Sequence, residues 1–252
     1  MSSKVMIEAN RITKHFERKI AISSLSFTIK KGEKIALIGP SGAGKSTLLN
    51  IIAGLVSPNS GELIIDGKKL AQYKNGKRLA KKIGVIRQQF DLIDQLAVIH
   101  NVLIGKFSEW GFCKSLISLL FPQEKEIALN ALERVGLADK IFEQTANLSG
   151  GEQQRVALAR LIVQKPEIIL ADEPVASLDP ARAEDVLKLL TNLVTEENQT
   201  LFTSLHSVEY ARKYFTRIIA LKNGELYFDL PTEKVTDDLL AELYFLNERD
   251  VG

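Results

Sequence analysis

Cysteine is almost missing from this chain. Cys113 stands alone among 252 residues, which excludes an intramolecular disulfide and a cysteine-rich metal site and suits a reducing compartment. A surplus of one charge is missing too. The 33 Lys and Arg oppose 31 Asp and Glu, and a net charge of +2 gives no electrostatic case for nucleic acid or an anionic surface. Long apolar runs are absent: the most apolar interior stretch, Leu116–Phe121, falls far short of the roughly 20 residues that span a bilayer. The start, Met1 to Asn10, is broken by Lys4, Glu8 and Asn10 and lacks the apolar core of a secretory signal. Repeats and low-complexity tracts are also lacking, so one catalytic unit is expected rather than a fused pair.

What is present is an ordinary globular balance, 45% hydrophobic and 25% charged residues. Short strands are predicted at Val5–Ala9, at Leu25–Ile29 and at Lys34–Ile38. A helix follows at Ser46–Ala53, stopped by Gly54, and then a strand at Leu63–Ile65 that turns at Asp66-Gly67. From about Gln88 to Leu161 the pattern becomes helical. Ile127, Ala128, Ala131, Leu132 and Val135 fall on one face of a helix, and Gly150–Val163 gives another. Strand and helix then alternate through Glu167–Ala171, Ala181–Thr195, Thr200–Thr203, Ser207–Tyr214 and Ile218–Leu221, the signature of a parallel sheet flanked by helices. The expected fold is α/β: a phosphate-loop core with a mainly parallel sheet, an antiparallel part near the N-terminus and an inserted helical subdomain. One domain over 1–252 is expected, with its core at 1–87 and 162–230, helical subdomain at 88–161 and tail at 231–252.

Three segments carry chemistry. Gly39-Pro40-Ser41-Gly42-Ala43-Gly44-Lys45-Ser46-Thr47 fits G-x-x-x-x-G-K-[ST] and lies between a strand and a helix. Glycines there let backbone N–H groups curl around phosphate oxygens, and the following helix aims its positive end at the same anion. Lys45 supplies a full charge to the β- and γ-phosphates, and the Ser46 hydroxyl suits Mg²⁺. Second, the apolar run Ile168–Ala171 ends in Asp172 and Glu173. A carboxylate there can hold Mg²⁺ through water, the expected role of Asp172, leaving Glu173 to orient or deprotonate an attacking water. Third, Ser149 in Leu148-Ser149-Gly150-Gly151-Glu152-Gln153-Gln154-Arg155 reads as a helix N-cap, with exposed backbone donors behind it. By itself this reads better as a well-capped helix with a polar first turn.

This last segment resembles the signature motif of ATP-binding-cassette proteins, and the family's other motifs follow in order from about Val5 to Phe228. The resemblance implies that Phe16 stacks on adenine, although an aromatic beside a first strand is also a candidate for core. It implies that Gln88, with Gln89 as the alternative, touches the metal and senses a membrane partner. It implies that Asp179, in Ser177-Leu178-Asp179, lies on the loop crossing to a second copy and that His206 contacts the γ-phosphate. ATP would then sit head to tail in a homodimer, gripped by Lys45 and Glu173 of one copy and by Ser149, Gly150, Gly151 and Glu152 of the other. The implied partners are transmembrane permease subunits and, indirectly, a periplasmic or lipid-anchored solute-binding protein; nucleic acid is not among them. The implied location is the inner face of the cell membrane.

Glu152 stands where the family more commonly has glutamine, and Arg87, Ala97 and His100 depart from its usual residues near the expected permease contact. His15 and His100 match no motif and are expected to be solvated. Trp110 and Cys113 are expected to pack or to face a partner. Asn101–Gly105, Ser115–Phe121, Leu132–Leu137, Pro174–Pro180 and Ser204–His206 resemble ATPase subunits of phosphonate importers. The rivals are a cassette of another importer, one that works a membrane complex in division or lipoprotein release, and a soluble cassette acting in translation or repair.

Overall fold

The computed structural model describes residues 4–17, 19–73, 76–87 and 90–245. Along the chain these form β1 (Val5–Phe16), β2 (Lys19–Lys30), β3 (Lys34–Ile38), α1 (Lys45–Ile52), β4 (Ser60–Ile65) and β5 (Lys68–Lys69). Then come α2 (Gly76–Lys82), β6 (Ile83–Ile86), α3 (Val98–Leu103), α4 (Phe112–Leu120), α5 (Lys125–Arg134), α6 (Gly150–Gln164), β7 (Ile168–Asp172) and α7 (Pro180–Glu196). The last elements are β8 (Thr200–Ser204), α8 (Val208–Tyr214), β9 (Arg217–Lys222), β10 (Glu225–Pro231) and α9 (Asp237–Tyr244). The chain divides into two compact units, 1–72 with 202–252, and 73–201.

In the first unit an antiparallel sheet runs β2-β1-β4-β5, with Ile7 opposite Ile29 on one side and Ile65 on the other. β1 and β2 run well past the expected Val5–Ala9 and Leu25–Ile29. Their pairing shifts register between Ala9 and Ile12, where Arg11 takes a left-handed φ of 49°, and such a bulge breaks the period-two alternation that marks a strand. Beside that sheet the order is β10-β9-β3-β8, with β3 parallel to β9. Ile35, Ala36, Leu37 and Ile38 are fully buried, as a central strand covered on both faces must be. The Arg217 guanidinium grips Asp229 with two bonds of 2.6 Å and Glu33 with one of 2.9 Å. The Asp229 bonds, more than burial opposes, raise its pKa.

In the second unit β6 lies parallel to β7, and the amide of Thr200, the first residue of β8, donates to Glu167 O at 3.0 Å beside it. The strand β6 and helix α2 had no clear signal, since Ile83–Ile86 is short and holds Gly84. That glycine is needed for packing: a Cβ on it would lie 2.8 Å from Pro166. α5 buries Ala128, Ala131 and Leu132, as its periodicity requires. α4 is inside out. It buries Ser118 and exposes Phe112, Leu116, Ile117 and Leu120, with Phe121 exposed just beyond. Trp110 is buried and Cys113 exposed. His100 is not solvated as expected: it is half-buried, and its Nδ1–H donates to Ser118 O at 3.1 Å. Among the described residues no helix is long and apolar enough to cross a membrane.

Candidate active site

The phosphate loop joins β3 to α1 and is shaped by what surrounds it. At Gly39, φ is 147° and a Cβ would overlap the Leu221 carbonyl oxygen. At Gly44, φ is 100°; a Cβ would overlap the Ala21 carbonyl oxygen and lie 2.7 Å from Ile22 Cδ1. Only glycine fits either place. Lys45 is buried, its ammonium donating to Gly39 O at 2.8 Å and Pro40 O at 3.1 Å, so its charge is folded into the loop. Ser46 is exposed on the first turn of α1 and Thr47 is half-buried. Pro40, Ser41, Gly42 and Ala43 complete the loop.

Phe16 and His206 belong to the same unit. Phe16 is not core: it is 48% exposed, paired across the turn with Lys19, whose neighbours Ala21 and Ile22 abut Gly44. The Lys14 ammonium lies 4.8 Å from its ring centre. His206 is exposed directly after Leu205, whose N–H donates to Leu37 O at 3.0 Å, so it emerges at the end of the sheet where β3 enters the loop.

In the second unit Asp172 ends β7 and Glu173 follows with a left-handed φ of 50°. That conformation is costly for a residue with a side chain and persists only where the surrounding structure over-determines it. Ser149 caps α6 in a full capping box with Glu152, as its sequence position implies. Ser149 and Gly150 are exposed, Gly151 and Glu152 half-buried. Glu152 accepts the Ser149 hydroxyl and N–H at 2.8 Å each, and these bonds hold its carboxyl below the usual range. Asp179 caps α7, accepting from the Arg182 N–H at 3.1 Å, with Pro180 at the first helical position. Arg182 Cδ lies 3.7 Å from where a Gly151 Cβ would be, which brings the starts of α6 and α7 together. Gln88, with Gln89, lies outside the described residues.

Several supporting residues were missed. Gln154, fully buried in α6, donates to the Pro174 carbonyl directly after Glu173. Arg160 donates to Phe90 O at 2.7 Å and Asp91 O at 2.8 Å, and burial pulls its pKa down. Gln153 holds Thr145 O at 3.1 Å. All three project from a helix whose polar positions could equally have been solvated, and no local pattern distinguishes them. Tyr244 in α9 was likewise unread: burial pushes its phenol up, offset by a bond from the Gly39 backbone.

The family model described as ABC transporter matches residues 22–176. The chain belongs to the ABC transporter family. This cassette is 44% identical to the phosphonates import ATP-binding protein PhnC 1 of Nostoc sp., over 97% of this chain and 94% of that one. It is 42% identical to the corresponding protein of Pseudomonas fluorescens, over 89% of this chain and 85% of that one. Among solved structures, the dimeric bacterial ABC transporter cassette MJ0796 superposes with a TM-score of 0.77 at 34% identity, covering 90% of this cassette and 99% of that chain. The same protein in a post-hydrolysis state with ADP and Pi gives 0.75, at the same identity and coverage. The expected α/β phosphate-loop fold is therefore the observed one, and the cassette is an ATPase.

Proposed function

We propose that this cassette is the ATP-hydrolysing subunit of an importer for phosphonates or a related phosphorus oxyanion, held at the inner face of the cell membrane by permease subunits. The names of relatives 40–44% identical over nearly its whole length support the solute class. One observation carries the motor role: the chain holds two prepared anion sites, the glycine-lined loop around Lys45 and the Ser149-capped start of α6. In a head-to-tail homodimer, each ATP would meet the loop of one copy and α6 of the other.

The roles follow from the chemistry. The ammonium of Lys45 would exchange its carbonyl partners for the β- and γ-phosphates, where the charge is larger. Phe16 offers an exposed ring to adenine. Glu173 would orient the attacking water and accept its proton, and His206 would hold the γ-phosphate. Magnesium fits this donor set. The nucleotide's own oxygens would supply much of the remaining coordination. Ser46, Asp172 and Gln88 would hold the ion, which neutralises phosphate charge. Asp179 would face the second copy.

Gln88 and the helical region would carry the motion to the permease. Here the apolar outer face of α4 fits a membrane-subunit partner, because Phe112, Leu116, Ile117 and Leu120, with Phe121 just beyond the helix, are all exposed. The test is reconstitution. The cassette should co-purify with a polytopic permease, and together with a solute-binding protein they should drive ATP-dependent phosphonate uptake into vesicles. Co-purification with ribosomes or DNA, and no uptake, would refute it.

A further inference from the structure

At the start of α6 a carboxylate already holds the Ser149 hydroxyl and N–H. Ser149 donates both its hydroxyl and its N–H to Glu152 Oε2, at 2.8 Å each, and its Oγ accepts the Glu152 N–H at 3.4 Å. A serine hydroxyl has one proton, so while this pairing holds it has none to give another anion. The same bonds, with Lys140 and Arg155 nearby, hold the Glu152 carboxyl below its usual range. Beside it opens a cleft of about 300 Å³ lined by Ser149, Gly151, Glu152, Arg155 and Arg182, between the starts of α6 and α7.

We propose that Glu152 is a resident anion that competes with the γ-phosphate carried by a second copy, and so sets the ATP concentration at which two copies close. This rests on the head-to-tail dimer reading above. When the phosphate arrives it meets the helix terminus and the two arginines, which attract it, and the Glu152 carboxylate, which repels it. It also finds the Ser149 proton already committed. The glutamine commoner at this position in the family would accept the same Ser149 bonds and keep the capping box, but without a charge. Negative charge at a helix start stabilises the helix, however. Replacing it should therefore move two readouts in opposite directions, which a purely structural role would not do.

The experiment compares full-length Glu173→Gln with Glu173→Gln/Glu152→Gln, titrating magnesium ATP and following dimerisation by analytical ultracentrifugation, with thermal melting alongside. Removing one half-buried like charge should lower the half-maximal ATP concentration about fivefold, with a slightly lower melting temperature. An equal or higher half-maximal concentration, with Glu173→Gln itself dimerising, overturns this proposal alone. If Glu173→Gln stays monomeric at saturating ATP, the dimer reading falls and takes this proposal with it.

Discussion

Replacing Gly44 by alanine should be far more harmful than replacing Gly42, although both lie in the same loop with positive φ. At Gly42, φ is 78° and the nearest atom to a new methyl is Lys19 Nζ at 4.0 Å, the mobile tip of a side chain. The cost there is the left-handed backbone alone, about 1–2 kcal/mol. At Gly44, φ is 100°, and the methyl would overlap the Ala21 carbonyl and stop 2.7 Å from Ile22 Cδ1. That is about 1 Å inside ordinary contact. Ala21 and Ile22 belong to β2, paired along its length with β1, so neither can yield freely. Overpacking of this kind adds about 1–3 kcal/mol. At about 2–4 °C per kcal/mol for a chain of this size, Gly44→Ala should melt about 10 °C below wild type and Gly42→Ala only a few degrees below. Scanning calorimetry and ATP titration check both. A Gly44→Ala protein that melts with wild type and binds ATP as tightly would refute this account of the loop.

Further outcomes are expected elsewhere. Gln154→Ala should lower turnover more than ATP affinity, since it frees the Pro174 carbonyl beside Glu173 and leaves the phosphate loop alone; steady-state kinetics separate the two. Asp229→Ala strips Arg217 of a bidentate partner and leaves a half-buried guanidinium, so urea unfolding should show a loss of about 1–3 kcal/mol. Glu173→Gln should keep ATP bound while hydrolysis nearly stops, read by phosphate release; wild-type turnover would remove Glu173 from catalysis.

Much of the fold was legible because its signals are local. Lys34–Ile38 is a short apolar strand running into glycine, Ser149 is a cap residue with Glu152 three positions on, and Gly54 stops α1. Bulged β1 and β2 hid part of their length because a register shift erases alternation. α4 misleads any reading of apolar residues as core, since its face is turned outward. At the site, the motif residues stood out, because phosphate chemistry demands fixed types at fixed spacing. Gln154, Arg160 and Tyr244 did not, because each acts on a backbone carbonyl or amide distant in sequence, and a single polar side chain in a helix carries no sign of its partner.

Two defective proteins mixed together give the most direct test of the motor. Lys45→Ala removes the loop's charge and Ser149→Arg blocks the start of α6, so each alone should fail to release phosphate from ATP. If each ATP draws Lys45 from one copy and Ser149 from the other, a mixed dimer has one intact site, and turnover should reappear on mixing. Phosphate release that stays at background in the mixture, with both proteins folded and associating, would contradict the shared site.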